Sequence, residues 1–175
     1  LAAAITQPER FLKLQLVSVT PRFLNGPDWD LGVSLEPFES LANDFEEDYQ
    51  KALQRFRLLQ VHSQDRSQFR KSRQMVRELA KTLSQFDPPS RQTLRSGLKI
   101  LAETDLRQRL GDLQVETQVL AGRNDQVVPV GASEFLFGRL TNRDSFHVLD
   151  TGHVPFLESP SEYIKALTVF ANKSL

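Results

Sequence analysis

The chain has 175 residues, 39% of them apolar and 25% charged, which is enough for one domain with its own core and unlike a disordered segment. Twenty-two basic residues balance 22 acidic ones, so no net field draws the chain to nucleic acid or to a membrane. The absence of cysteine excludes disulfides, thiolate nucleophiles and Cys-ligated zinc; no apolar run approaches the ~20 residues that span a bilayer, no signal peptide opens the chain, and the expected compartment is cytoplasmic.

Residues 1–7 (LAAAITQ) read as the end of a helix, broken at Pro8. Phe11 to Thr20 turns strongly apolar before Pro21 and predicts a buried strand. Residues 21–37, with Gly26, Pro27, Trp29, Gly32 and Pro37, predict an irregular loop. From Phe38 to Phe86 there is no Gly or Pro, and Phe45, Tyr49, Leu53, Phe56 and Leu59 recur at helical steps. A second helical run covers about Ser67 to Leu83. Ser90 is placed to cap a helix carrying Leu94, Leu98 and Leu101. Residues 106–113 are short and partly helical, Val115–Leu120 alternates as a strand, residues 130–140 predict a helix, Ser145–Leu149 a strand, and Pro160 opens a last helix through Phe170. Strands alternate with helices at both ends, which predicts an α/β class with a largely parallel sheet. Twelve Phe supply bulk for a core or an acyl pocket.

Two strand ends carry candidate chemistry. Val115–Leu120 is followed by Gly122-Arg-Asn-Asp125-Gln-Val-Val-Pro129, and Ser145–Leu149 by Gly152-His153-Val-Pro155-Phe156. In a parallel sheet both loops leave from one edge, where ligand sites collect, so Asp125 and His153 can meet although 28 positions apart. A carboxylate there would orient the imidazole, and the imidazole would act as general base toward a hydroxyl. The plainer readings are that Asp125 only binds turn amides and that His153 is an ordinary loop histidine. His147, inside a strand, and His62, in the middle of the helical block, read as structural or surface residues.

The order of these motifs, G-R-N-D-x-x-V-P and then G-H-x-P-F-x-E-x-P, resembles the acid and histidine loops of the α/β-hydrolase fold, whose triad runs nucleophile, acid, histidine along the chain. The resemblance implies an α/β-hydrolase with a helical cap, its N-terminal strands and nucleophile elbow absent from these residues. Residues 1–37 would be part of the hydrolase core, 38–86 the cap or lid, and 87–175 the C-terminal part of the core. No G-x-S-x-G occurs; Gly32-Val-Ser34-Leu-Glu36 lacks the second small residue and follows a loop rather than a strand. In the family a helix ending in a pattern like A-x-x-x-P-E-R follows the elbow, and Ala4 to Arg10 fit that register, so the serine and oxyanion hole are expected ahead of Leu1 or on another chain.

The 38–86 block is strongly basic. From Lys51 to Lys81 it holds Lys51, Arg55, Arg57, Arg66, Arg70, Lys71, Arg73, Arg77 and Lys81 against Asp65 and Glu78. This is either a solvated helix face or a docking patch for an acidic partner. The acidic run Asp44, Glu46, Glu47, Asp48 is expected at the front of the first cap helix, where the dipole favours it. The segments Arg22-Phe-Leu-Asn-Gly-Pro-Asp-Trp29, Asp48-Tyr-Gln-Lys51-Ala-Leu-Gln-Arg55-Phe56, Gly97-Leu-Lys-Ile-Leu101 and Thr104-Asp-Leu-Arg107 are similar to the pimeloyl-[acyl-carrier-protein] methyl ester esterases of biotin synthesis. That resemblance implies a serine carboxylesterase, with Asp125 and His153 catalytic and Phe56 lining the acyl channel. Lys51, Arg55, Arg70 and Arg73 would hold acyl carrier protein, Lys51 standing where the family has arginine and Arg70 and Arg73 being the nearest matches to an offset pair. It implies no metal and no cofactor. Two other readings stay open: a small-ester or lactone hydrolase of the same fold, and a non-catalytic fragment or binding module.

Overall fold

The computed structural model describes residues 1–61, 66–87 and 89–173, with the backbone alone described over 66–72. Three parallel strands lie in the order β1 (Leu14–Val17), β2 (Thr117–Gly122) and β3 (Arg143–Leu149). Every residue of the central strand β2 is buried, as expected of a parallel strand covered on both faces. On one face, Leu16 and Val119 meet Ala4 and Ile5 of α1 (Ala2–Thr6), Leu110 and Leu113 around a 3₁₀ turn (Arg107–Asp112), and Leu136 and Leu140 at the end of α6 (Val130–Arg139). Each fully buried leucine here contributes roughly 1.5–3 kcal/mol.

The other face is polar beneath α8 (Pro160–Asn172). Gln15 donates to Gln118 (2.7 Å), Gln118 donates to Ser145 (3.0 Å), and Tyr163 of α8 donates to Gln15 (3.1 Å). This ladder satisfies amides that burial would otherwise penalise. Its outer rung holds His147, whose Nε2 lies 3.2 Å from the Ser145 hydroxyl. Lys13 donates to the carbonyls of Phe170 and Lys173, closing the C-terminal end of α8 with a cation, as the helix dipole favours.

Between β1 and β2 stand four helices: α2 (Leu35–Glu47), α3 (Tyr49–Leu59), α4 (Arg66–Leu83) and α5 (Arg91–Glu103). The Phe45-to-Leu59 stripe reads as one helix, but the chain breaks at Asp48. Asp48 takes a non-helical conformation (φ −139°, ψ 85°) and its carboxylate caps α3 by accepting from the Lys51 amide at 3.1 Å. Of the acidic run, only Asp48 therefore stands at the front of a helix, while the other three residues sit at the back of α2. There Asp44, Glu46 and Glu47 oppose the dipole, and arginines offset two of them. Arg55 pairs with Asp44 at 2.6 Å, and Arg95 of α5 grips Glu46 with two bonds of 2.6 and 2.7 Å, holding that carboxyl below its usual range. Ser90 caps α5 as its position predicts, accepting from the Thr93 amide at 3.1 Å.

Strand limits also shift. The predicted strand 11–20 shrinks to Leu14–Val17 because Ser18 turns left-handed (φ 51°) and ends it. β2 runs two residues further than the alternation suggests, to Gly122, and β3 begins at Arg143. A one-turn helix, α7 (Pro155–Glu158), follows the histidine loop. His62 lies outside the described residues.

Candidate active site

β2 and β3 run parallel, so their C-terminal ends open at the same edge. Two loops are stitched together there. The Arg123 amide donates to the Leu149 carbonyl (2.8 Å), the Asn124 amide to the Thr151 carbonyl (3.0 Å), and the Asn124 side chain to Asp150 (2.7 Å). The approach is so close that a Cβ on Gly122 would lie 1.9 Å from the Gly152 carbonyl oxygen, and only glycine fits.

Asp125 and His153 meet across this seam. Asp125 Oδ1 accepts from the amides of Val127 (2.7 Å) and Val128 (2.8 Å), and Oδ2 lies 2.8 Å from His153 Nδ1. The turn-amide role and the imidazole contact thus coexist, one oxygen for each. The carboxylate side chain is 1% exposed and the imidazole 23%. An ionised carboxylate only accepts hydrogen bonds, so Nδ1 donates to it, and in a neutral imidazole Nε2 is then the nitrogen with the lone pair. The arrangement is an oriented base able to take a proton from a hydroxyl and return it to a leaving group.

Further contacts hold the pair. The Gly152 amide donates to Glu158 Oε1 at 2.8 Å, so α7 braces the histidine loop. The His153 amide donates to the Gln60 carbonyl at 2.9 Å, docking the end of α3 onto the imidazole residue. Beneath the acid loop, Trp29 packs with Val128 and Ala132 and meets Phe135 edge-on at 5.0 Å. Arg107 lies over the Trp29 ring at 5.3 Å and binds Asp28 and Asp105 at 2.8 and 2.7 Å. Those hydrogen bonds hold both carboxyls below their usual range and push the Arg107 guanidinium up.

Sequence reasoning gave no role to Gln60, Glu158 or Trp29. Glu158 stood inside the matched histidine motif, whereas Gln60 acts through its carbonyl, which leaves no trace in residue type.

The cap residues are less convergent. Phe56, half-buried on α3, sits one turn before Gln60, and its carbonyl accepts from the Gln60 side chain at 3.5 Å. Lys51 is exposed on the first turn of α3. Arg55 is engaged by Asp44. Arg73 lines a groove of about 400 Å³ between α3 and α4 with Arg57 and Arg77. The backbone of Arg70 lies in α4, and its side chain is outside the description. Ser34 begins α2 after the 21–33 loop, so it occupies no strand-to-helix elbow. Among the described residues no cluster of three or more His, Cys, Asp or Glu forms a metal-holding group.

The family profile described as the alpha/beta hydrolase fold matches residues 1–160. A pimeloyl-[acyl-carrier protein] methyl ester esterase of Nitrosomonas europaea is 32% identical over 162 residues, 92% of this chain. Its namesake from Methylococcus capsulatus is 35% identical over 157 residues, 90% of this chain. The chain spans 62% and 59% of the length of these two relatives. Among solved structures, an esterase from Exiguobacterium antarcticum shares the fold at a TM-score of 0.75 with 21% identity, over 93% of this chain and 57% of that one. The enol-lactonase from Burkholderia xenovorans LB400 does so at 0.77 with 18% identity, over 98% and 60%.

Proposed function

We propose, for a chain that belongs to the α/β-hydrolase family, that it supplies the acid and base of a serine carboxylesterase acting on the methyl ester of a pimeloyl chain held by acyl carrier protein. The observation that carries the reading is the 2.8 Å contact of Asp125 with His153 Nδ1, with the other carboxylate oxygen fixed by two amides. The nucleophile is a serine outside these 175 residues, on the segment ahead of α1 or on a second chain. It attacks the ester carbonyl while His153 Nε2 takes its proton, and the imidazolium, stabilised by Asp125, passes that proton to departing methanol. Water activated by the same nitrogen then releases the acid. The steps call for no metal or organic cofactor.

What supports the named substrate is the likeness to the two relatives, whose names carry it. Residues 38–86 serve as the cap. The His153 amide donates to the Gln60 carbonyl at the end of α3, which supports Phe56, one turn earlier, as the residue that lines the acyl channel, with Lys51, Arg70 and Arg73 as the residues that hold the carrier. Arg55 contributes less, because its ion pair with Asp44 competes with any carrier carboxylate. That competition is the observation favouring a second reading, a hydrolase of small esters or lactones.

Charge reversal separates the two. In the complete enzyme, Lys51→Glu with Arg73→Glu is expected to raise KM for the carrier-bound ester about tenfold, and more steeply at low salt. Turnover of a small methyl ester is expected to stay unchanged. Equal insensitivity of both substrates would remove the carrier protein from the account.

A further inference from the structure

The base stands directly after the residue type with the widest backbone freedom. Gly152 immediately precedes His153, and without a Cβ its φ and ψ range over conformations closed to other residues. A rotation there would carry the imidazole away from Asp125. The two amides that flank this rotation are both tied. The Gly152 amide donates to Glu158 Oε1 at 2.8 Å, and the His153 amide donates to the Gln60 carbonyl at 2.9 Å.

The two acceptors differ in kind. Gln60 offers a backbone carbonyl, which any residue would supply, whereas Glu158 offers a side chain. Glu158 ends α7, a turn that opens on the buried Pro155 and whose Leu157 and Glu158 amides both donate to the Val154 carbonyl. From that turn the carboxylate reaches back six positions, closing residues 152–158 into a ring that contains His153. Gly152 is buried and Glu158 half-buried, so the bond is shielded from water, and a carboxylate acceptor makes it stronger than a neutral one. The ring takes from Gly152 the freedom that its missing side chain would otherwise give.

We infer that Glu158 is a positioning residue. By fixing the Gly152 amide it holds the His153 backbone where Nδ1 meets Asp125 and Nε2 is aimed at the nucleophile. This rests on the serine-esterase reading above. The role lies in the reach of an acceptor oxygen to one amide rather than in charge or substrate recognition, so its loss falls on kcat and not on KM.

The test uses Glu158→Ala, Glu158→Asp and Glu158→Gln in the complete enzyme. Alanine removes the acceptor. Aspartate keeps the charge but, one methylene shorter, falls short of the amide. Glutamine loses the charge but keeps an acceptor oxygen at the same reach. Glu158→Ala and Glu158→Asp are expected to slow kcat and the rate of fluorophosphonate acylation roughly tenfold, as a base shifted out of line would, with KM unchanged. Glu158→Gln is expected to stay within about threefold of the wild type, since it exchanges a charged bond for a neutral one. In proton NMR well below the melting temperature, the downfield His153 Nδ1 proton should broaden in Glu158→Ala and Glu158→Asp and persist in Glu158→Gln, a pattern that lowered stability alone does not produce. Glu158→Asp and Glu158→Gln decide the matter if Glu158→Ala does not fold. Wild-type kcat in Glu158→Asp, a Glu158→Gln as slow as Glu158→Asp, or a loss confined to KM would overturn this inference alone. Failure of the wild-type enzyme to take any fluorophosphonate adduct would overturn the esterase reading and this inference with it.

Discussion

Asp125 divides its two oxygens between structure and chemistry, and that division makes a sharp prediction. In Asp125→Asn the amide oxygen still accepts from Val127 and Val128, while the NH₂ faces His153 Nδ1. Nδ1 must then become the acceptor, and the proton moves to Nε2, where the base is needed. Turnover in the complete enzyme is expected to fall by about 10⁴, with KM and melting temperature little changed; pre-steady-state kinetics and thermal melting would check this. Gly122 gives the opposite pattern. In Gly122→Ala the new Cβ meets two backbone oxygens, of Gly152 and Thr151, which have no rotamer to escape into. A loss of about 1–3 kcal/mol in denaturant unfolding is expected, with reduced activity as the two loops part. These positions were legible in advance in unequal degree. Asp125 and His153 stand out because short loop motifs after strands carry their residue types on the surface of the sequence. The turn at Ser18, which cuts β1 short, did not, because a left-handed residue within Leu-Val-Ser-Val has no compositional mark.

At the scale of elements, two devices hold the acid loop: the amide turn on Asp125, and the platform of Trp29 with Val128 and Ala132. The second is fastened by Arg107, which joins Asp28 and Asp105. Both carboxyls have folded-state values below their unfolded ones. Their contribution is therefore fully present above the unfolded carboxylate pKa of about 3.9, and it is lost as pH falls through the lower folded values. Thermal melts below pH 4 should show a loss of stability that is smaller in Arg107→Ala, which is already weakened at pH 7. Equal pH dependence in the two proteins would remove the network from the account. The helical block shows why element boundaries were harder to read than element types. Phe45, Tyr49 and Phe56 keep helical spacing straight through the break, so periodicity could not register it. The break belongs to Asp48, whose carboxylate reaches a backbone amide and which, inside a run of acids, looks like one more solvated charge. The parallel sheet was legible because strands alternate with helices at both ends of the sequence. The polar ladder under α8 was not, since Gln15, Gln118 and Ser145 come from three distant segments.

Across the whole molecule, the sheet gathers one edge where β2 and β3 deliver Asp125 and His153, and the end of α3 meets it through Gln60. Among the described residues no helix is long and apolar enough to cross a membrane. The central claim is that the Asp125–His153 pair serves a serine that these 175 residues do not contain. The most direct measurement is fluorophosphonate labelling of the complete protein, followed by intact mass and mapping of the adduct, for the wild type and for His153→Ala. One adduct per active site is predicted, on a serine outside this segment. Its rate of formation should fall by at least ~10³ in His153→Ala. An adduct on a serine within these residues, or labelling indifferent to His153, would contradict the account.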